Sequence, residues 1–159
     1  MLVPRYYENL KILHENTMRN RAYYIPASKR IDDAAVDRTQ SDRFQLLSGE
    51  WKFRYYDSIY DAQDPFFEEN FHTEDFEKVT VPGVWQNYGY DRHQYTNVRY
   101  PFPMDPPYVP QENPCGAYLK EFCYEKDARA PRVYLNFEGV DSCFYVWLNG
   151  SYVGYSQVS

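Results

Sequence analysis

The stretch "SCFYVWLNGSYVGYS", Ser142 to Ser156, restricts the fold more than any other part of the chain. Two short apolar runs flank Asn149-Gly150. Asn-Gly is the strongest short hairpin signal, because both central positions of the tight turn require positive φ. The pair therefore predicts two antiparallel strands joined by a two-residue turn. The first run is apolar at successive rather than alternate positions, which predicts a central strand covered on both faces. Asn149-Gly150-Ser151 also matches the N-glycosylation sequon, but the turn reading is preferred in a chain that starts without an export signal.

Further strands are read from alternation. In "FQLLSGEWKFRYYDS", Ser48-Gly49 marks a turn, after which Trp51, Phe53 and Tyr55 alternate with Lys52, Arg54 and Tyr56. "KVTVPGVW" predicts a short strand ended by Pro82-Gly83. "AYLKEFCYE" and "RVYLNFEGV" predict two more. A short helix is expected before Pro65, capped by Asp57 or Ser58. The class is all-β: an antiparallel β-sandwich of jelly-roll type over residues 44–159, preceded by an extended N-terminal arm and interface segment over residues 1–43. Tyr23, Tyr24 and Ile25 are the expected apolar anchor of that arm. Only one strand follows the hairpin before Ser159, so the sandwich is expected to be incomplete and cut from something larger.

Between the strands runs "YTNVRYPFPMDPPYVPQENPCG", Tyr95 to Gly116, with Pro101, Pro103, Pro106, Pro107, Pro110 and Pro114 among the chain's 11 prolines. A flexible linker would be rich in glycine and serine, and a core strand excludes proline. The stretch is stiff, and it carries Tyr95, Tyr100, Phe102 and Tyr108 around Asn97, Asp105, Gln111, Glu112 and Asn113. Aromatic faces with a few placed polar groups are what a sugar site requires, and fixed φ values reduce the entropy lost on binding. A rigid loop packed on a neighbouring domain uses the same parts, and chemistry alone favours that alternative.

Composition narrows the rest. A net charge of −6 with scattered basic residues argues against nucleic acid. No apolar run reaches the length of a membrane span. Cys115, Cys123 and Cys143 contain no CxxC pair, which suits reduced thiols in a cytoplasmic protein rather than a zinc site or a disulfide framework. His14, His72 and His93 are far apart, and neither a G-x-S-x-G elbow nor a Gly-rich phosphate loop is present. Asp91, Asp105, Glu112, Glu138 and Asp141 lie beside aromatic or turn residues, but the sequence prefers no pair of them as a catalytic acid and base. No complete active site is expected, and no catalytic or metal-binding residue is assigned.

"LLSGEWKFRYY", "VPGVWQNYGYDRHQYTNVRYPFPMDPPYVPQENPCGAY" and "FEGVDSCFYVWLNGSYVGYSQVS", with "NRAYYIPASK" in the arm, resemble the N-terminal sugar-binding domain of bacterial β-galactosidases of glycoside hydrolase family 2. The resemblance covers nearly the whole chain. It implies a jelly roll at the start of a longer enzyme that hydrolyses terminal β-D-galactosides, such as lactose, with retention, by two glutamates on a TIM barrel outside these residues. It implies no cofactor in this chain, although full-length family members use Mg and Na ions. Its "YTNV" motif assigns Asn97 to the galactosyl group, with Tyr95 and Val98 shaping the pocket. The implied partners are the β-galactoside substrate, the remaining domains of the same enzyme and further copies of it through the arm. Nucleic acid and membrane are excluded. Two alternatives remain beside this reading: a free-standing carbohydrate-binding module, and a purely structural assembly domain.

Overall fold

The computed structural model describes residues 2–33 and 36–157. Ala34 and Ala35 of the expected arm, and Val158 and Ser159 of the expected sandwich, lie outside the described residues. Those described form six strands and three single-turn 3₁₀ helices with no α-helix, and the strands make two antiparallel three-stranded sheets. The chain is therefore all-β and of the sandwich class.

The first sheet is built on the alternating run. Strand β2 (Gly49–Tyr56) lies between β3 (Glu77–Val81) and β4 (Cys115–Leu119). Phe53 stands opposite Glu77 on one neighbour and Tyr118 on the other, and it is fully buried. Its ring centroid lies 4.7 Å from that of Tyr118 and 5.2 Å from that of Tyr90. Burying a phenylalanine this completely is worth about 1.5–3 kcal/mol. Trp85, in the 3₁₀ helix Trp85–Tyr88 that follows Pro82-Gly83, stacks on the same ring at 6.4 Å. The aromatic face of β2 is thus the core of this layer.

The second sheet has the order β1-β6-β5, from β1 (His14–Glu15), β6 (Ser151–Gln157) and β5 (Cys143–Leu148). Asn149 and Gly150 have φ of 49° and 72°, the two positive values that their hairpin turn needs. Pairing runs from Val146 opposite Gly154 to Trp147 opposite Tyr152, so Val153 forms a bulge. Gly154 lets β1 approach: a Cβ there would stand 2.5 Å from the Glu15 carbonyl oxygen.

Several expectations are corrected. Among the described residues strand β5 has one neighbour and lies at the sheet edge, because β1 from the N-terminal segment takes the other side of β6 and makes β6 the central strand. "RVYLNFEGV" forms no strand, and Val133, Tyr134, Leu135 and Phe137 are exposed. "AYLKEFCYE" pairs only as far as Leu119 opposite Lys52. Beyond it the Lys120 ammonium donates to the Glu50 carbonyl at 2.8 Å, which takes an acceptor on β2. The expected helix before Pro65 is a series of turns. There the Ile59 amide donates to the Asn113 carbonyl at 2.8 Å and the Ser58 hydroxyl to the Gln111 carbonyl at 2.5 Å, so the segment is drawn to the proline stretch instead of coiling on itself.

The N-terminal segment is bound to the second sheet. The Gln157 side-chain amide donates to the Ile12 carbonyl at 2.8 Å, and the Tyr145 hydroxyl to the Pro4 carbonyl at 2.5 Å. Tyr6 packs edge-on against Tyr155 at 5.4 Å, and Tyr155 is only 1% exposed. The β2–β3 connection packs further along the same face: the Phe67 ring stacks on Trp147 at 4.7 Å, with the planes 6° apart. Further along the arm, Tyr23 and Tyr24 are exposed and Ile25 is half-buried.

Candidate functional site

The candidate site is the proline-rich stretch between β3 and β4. Its first part projects from the domain: residues 91–101 are all exposed, Tyr95 at 80% and Val98 at 78%. The Asn97 side-chain amide donates to the Tyr95 hydroxyl at 2.8 Å. These two expected site residues are therefore in contact, and Val98 stands beside them in the chain with no side-chain hydrogen bond to contribute. The amide keeps a second N–H and its carbonyl oxygen for another partner. Tyr100 and Phe102 follow, edge-to-face at 6.0 Å.

The second part is folded on itself. Short turns join the Asp105 amide to the Pro103 carbonyl at 2.9 Å, Tyr108 to Asp105 at 2.9 Å, and Asn113 to Gln111 at 3.0 Å. A shallow depression lies among Pro103, Asp105, Tyr108, Val109 and Pro110. The residues that sequence reading placed around a sugar surface are thus divided: Tyr95 and Asn97 at an exposed tip, Asp105 and Tyr108 at the depression, Gln111 and Asn113 at the base. Glu8 was not among them. Its carboxylate reaches the stretch from 101 positions away to accept from the Val109 amide at 3.4 Å. Nothing in its local sequence marks that contact.

The acidic residues take other roles. Glu138 is held below the usual carboxylate range, first by its hydrogen bond to Arg38 and also by that to Tyr23. It joins the arm to the β4–β5 connection. Asp127 is likewise well below its ordinary value, through hydrogen bonds from Arg129 and Arg43. Burial pushes the Cys115 thiol up from 9.0 to about 11, and it raises Cys143 as well. Among the described residues no three His, Cys, Asp or Glu side chains converge as metal donors. The three cysteines are free thiols, and among the described residues no helix is long and apolar enough to cross a membrane.

An exposed amide held by a tyrosine, at the head of a proline-braced loop on an all-β frame, offers neutral hydrogen-bonding groups beside aromatic faces. Such a site can bind and orient a polyhydroxylated ligand. Residues 44–159 match the family described as "Glycosyl hydrolases family 2, sugar binding domain". Over its whole length the chain is 44% identical to a beta-galactosidase of Actinobacillus pleuropneumoniae, and it spans 15% of that relative. It is 41% identical to one of Staphylococcus xylosus, also over its whole length, and 35% to one of Priestia megaterium over 98% of it. The chain spans 16% of each of those two relatives. It belongs to glycosyl hydrolase family 2, whose sugar binding domain residues 44–159 represent.

Proposed function

We propose that this chain is the N-terminal part of a cytoplasmic β-galactosidase that hydrolyses terminal β-D-galactosides with retention, and that it supplies substrate and assembly contacts rather than the catalytic glutamates. Asn97 binds the substrate, with Tyr95 and Val98 shaping the pocket. Residues 1–43 act as arm and interface segment toward other copies of the enzyme, and 44–159 as the sugar-binding jelly roll. The Mg and Na ions of full-length family members bind outside this chain.

One observation carries the reading. The Asn97–Tyr95 hydrogen bond orients an exposed side-chain amide at the tip of a stiff loop. The amide keeps one N–H and its carbonyl oxygen for a substrate hydroxyl. The test is Asn97→Ala in the complete enzyme, with kcat/KM on a chromogenic β-galactoside as the readout. Loss of a hydrogen bond to a substrate hydroxyl should reduce transition-state binding by roughly 1–3 kcal/mol. An unchanged kcat/KM would instead assign the loop to assembly. The 159-residue chain, purified by itself, should not turn the substrate over.

A further inference from the structure

Outside hydrogen bonds reach the proline stretch at its far end. Among the described residues they fall on Val109, Gln111 and Asn113, before the stretch enters β4. Two of them come from the turn after β2, through Ser58 and Ile59. The third comes from Glu8, whose Oε1 accepts from the Val109 amide at 3.4 Å.

Glu8 is unusual for an acidic residue near a chain terminus, because its side chain is only 9% exposed. A carboxylate removed from water to that extent requires compensating donors. Its partners are the Val109 amide and the Arg5 guanidinium, 3.5 Å from its Oε2. Arg5 in turn lies over the Tyr60 ring at 5.4 Å, within the same turn that holds Gln111 and Asn113. The three attachments are therefore one assembly. Prolines lack an amide hydrogen, so Val109, placed just before Pro110, supplies one of the few donors in this part of the stretch.

The segment that carries Glu8 is itself fixed. The Glu8 amide donates to the Arg5 carbonyl at 3.2 Å, Pro4 is held by the Tyr145 hydroxyl, and Ile12 by Gln157. A continuous path of contacts thus runs from β5 and β6, through the first residues of the chain, to Val109 and along the prolines to Asn97. We propose that Glu8 is a positioning residue for substrate binding: it holds the base of the proline brace so that Asn97 meets the sugar in one place. This inference rests on the substrate-facing reading of the Asn97 loop.

The test compares Glu8→Ala, Glu8→Asp and Glu8→Gln with Asn97→Ala in the complete enzyme. Glutamine keeps an acceptor at the same reach without the charge, and aspartate keeps the charge but falls short. Hydrogen exchange should speed up about tenfold or more at the Val109 amide in the alanine and aspartate variants, with little change in the core strands. Their kcat/KM should fall about three- to tenfold at unchanged melting temperature, while glutamine restores both readouts to within about twofold. Should alanine fail to fold, the aspartate and glutamine pair decides alone. Unchanged Val109 exchange, or glutamine behaving like aspartate, would overturn the role. Faster exchange with normal kcat/KM would also overturn it, provided that Asn97→Ala is impaired. If Asn97→Ala is itself inert, the substrate-facing reading falls and the positioning role falls with it.

Discussion

Gly116 on β4 faces the Phe53 ring of β2 so closely that a Cβ on it would stand 2.6 Å from Phe53 Cε2. The ring cannot retreat, because Phe53 is fully buried and meets Tyr118, Tyr90 and Trp85. Gly116→Ala should therefore destabilise the domain by about 1–3 kcal/mol, the usual cost of overpacking. The midpoint of urea unfolding would show it as a downward shift at unchanged slope.

The Cys115 thiol has a pH signature. Its value is raised from 9.0 to about 11 by burial, so the folded state holds this proton more tightly than the unfolded state does. The associated stability is fully present below pH 9 and is lost as pH rises from 9 toward 11. Denaturation at a series of pH values should show the decline, up to about 2–3 kcal/mol from this group. In Cys115→Val the decline should be smaller by that amount. The half-buried Tyr145 and the buried Tyr155, also raised first by burial, add to the fall in both proteins and cancel in the comparison.

The same burial predicts selective labelling. Cys123 is exposed, whereas Cys115 and Cys143 are partly covered and their thiols are raised by burial. Thiolate is the reactive form. A chromogenic disulfide reagent at neutral pH should therefore titrate one thiol rapidly and two slowly, and Cys123→Ser should remove the fast phase. Three equal phases would contradict this packing.

Tyr95→Phe removes the hydroxyl that accepts from Asn97 while leaving the aromatic face. In the complete enzyme it should cost about 0.5–1.5 kcal/mol in kcat/KM, the worth of one exposed-to-partial hydrogen bond, and less than Asn97→Ala. A cost equal to that of Asn97→Ala would mean that Tyr95 orders the amide entirely.

Local signals explain what could be read from the chain itself. Asn149-Gly150 encodes its turn through the φ values that both residues adopt, and β2 declares itself because its apolar period matches the pleat. Pairing partners are a different matter. The edge position of β5 depends on β1, two residues whose match to β6 comes from a glycine 139 positions later, Gly154 against Glu15. The segment after β2 looks helical by itself, but its Ile59 amide and Ser58 hydroxyl serve the proline stretch more than fifty residues away. "RVYLNFEGV" has the right alternation for a strand and no neighbour to pair with among the described residues. At the candidate site, the contact between Tyr95 and Asn97 lies within one motif, whereas Glu8 reaches Val109 by tertiary structure alone.

The proline stretch is tied down at its base and free at its tip, and this separates two kinds of change. Substitutions at Tyr95 to Tyr100 disturb few contacts of the frame, so the tip can vary at little cost to folding. Substitutions at Val109 to Asn113 disturb the seating of the whole loop. On the substrate-facing reading proposed above, a library confined to the tip should yield mostly folded proteins with altered sugar preference, a division of labour that makes this loop a handle for redesign.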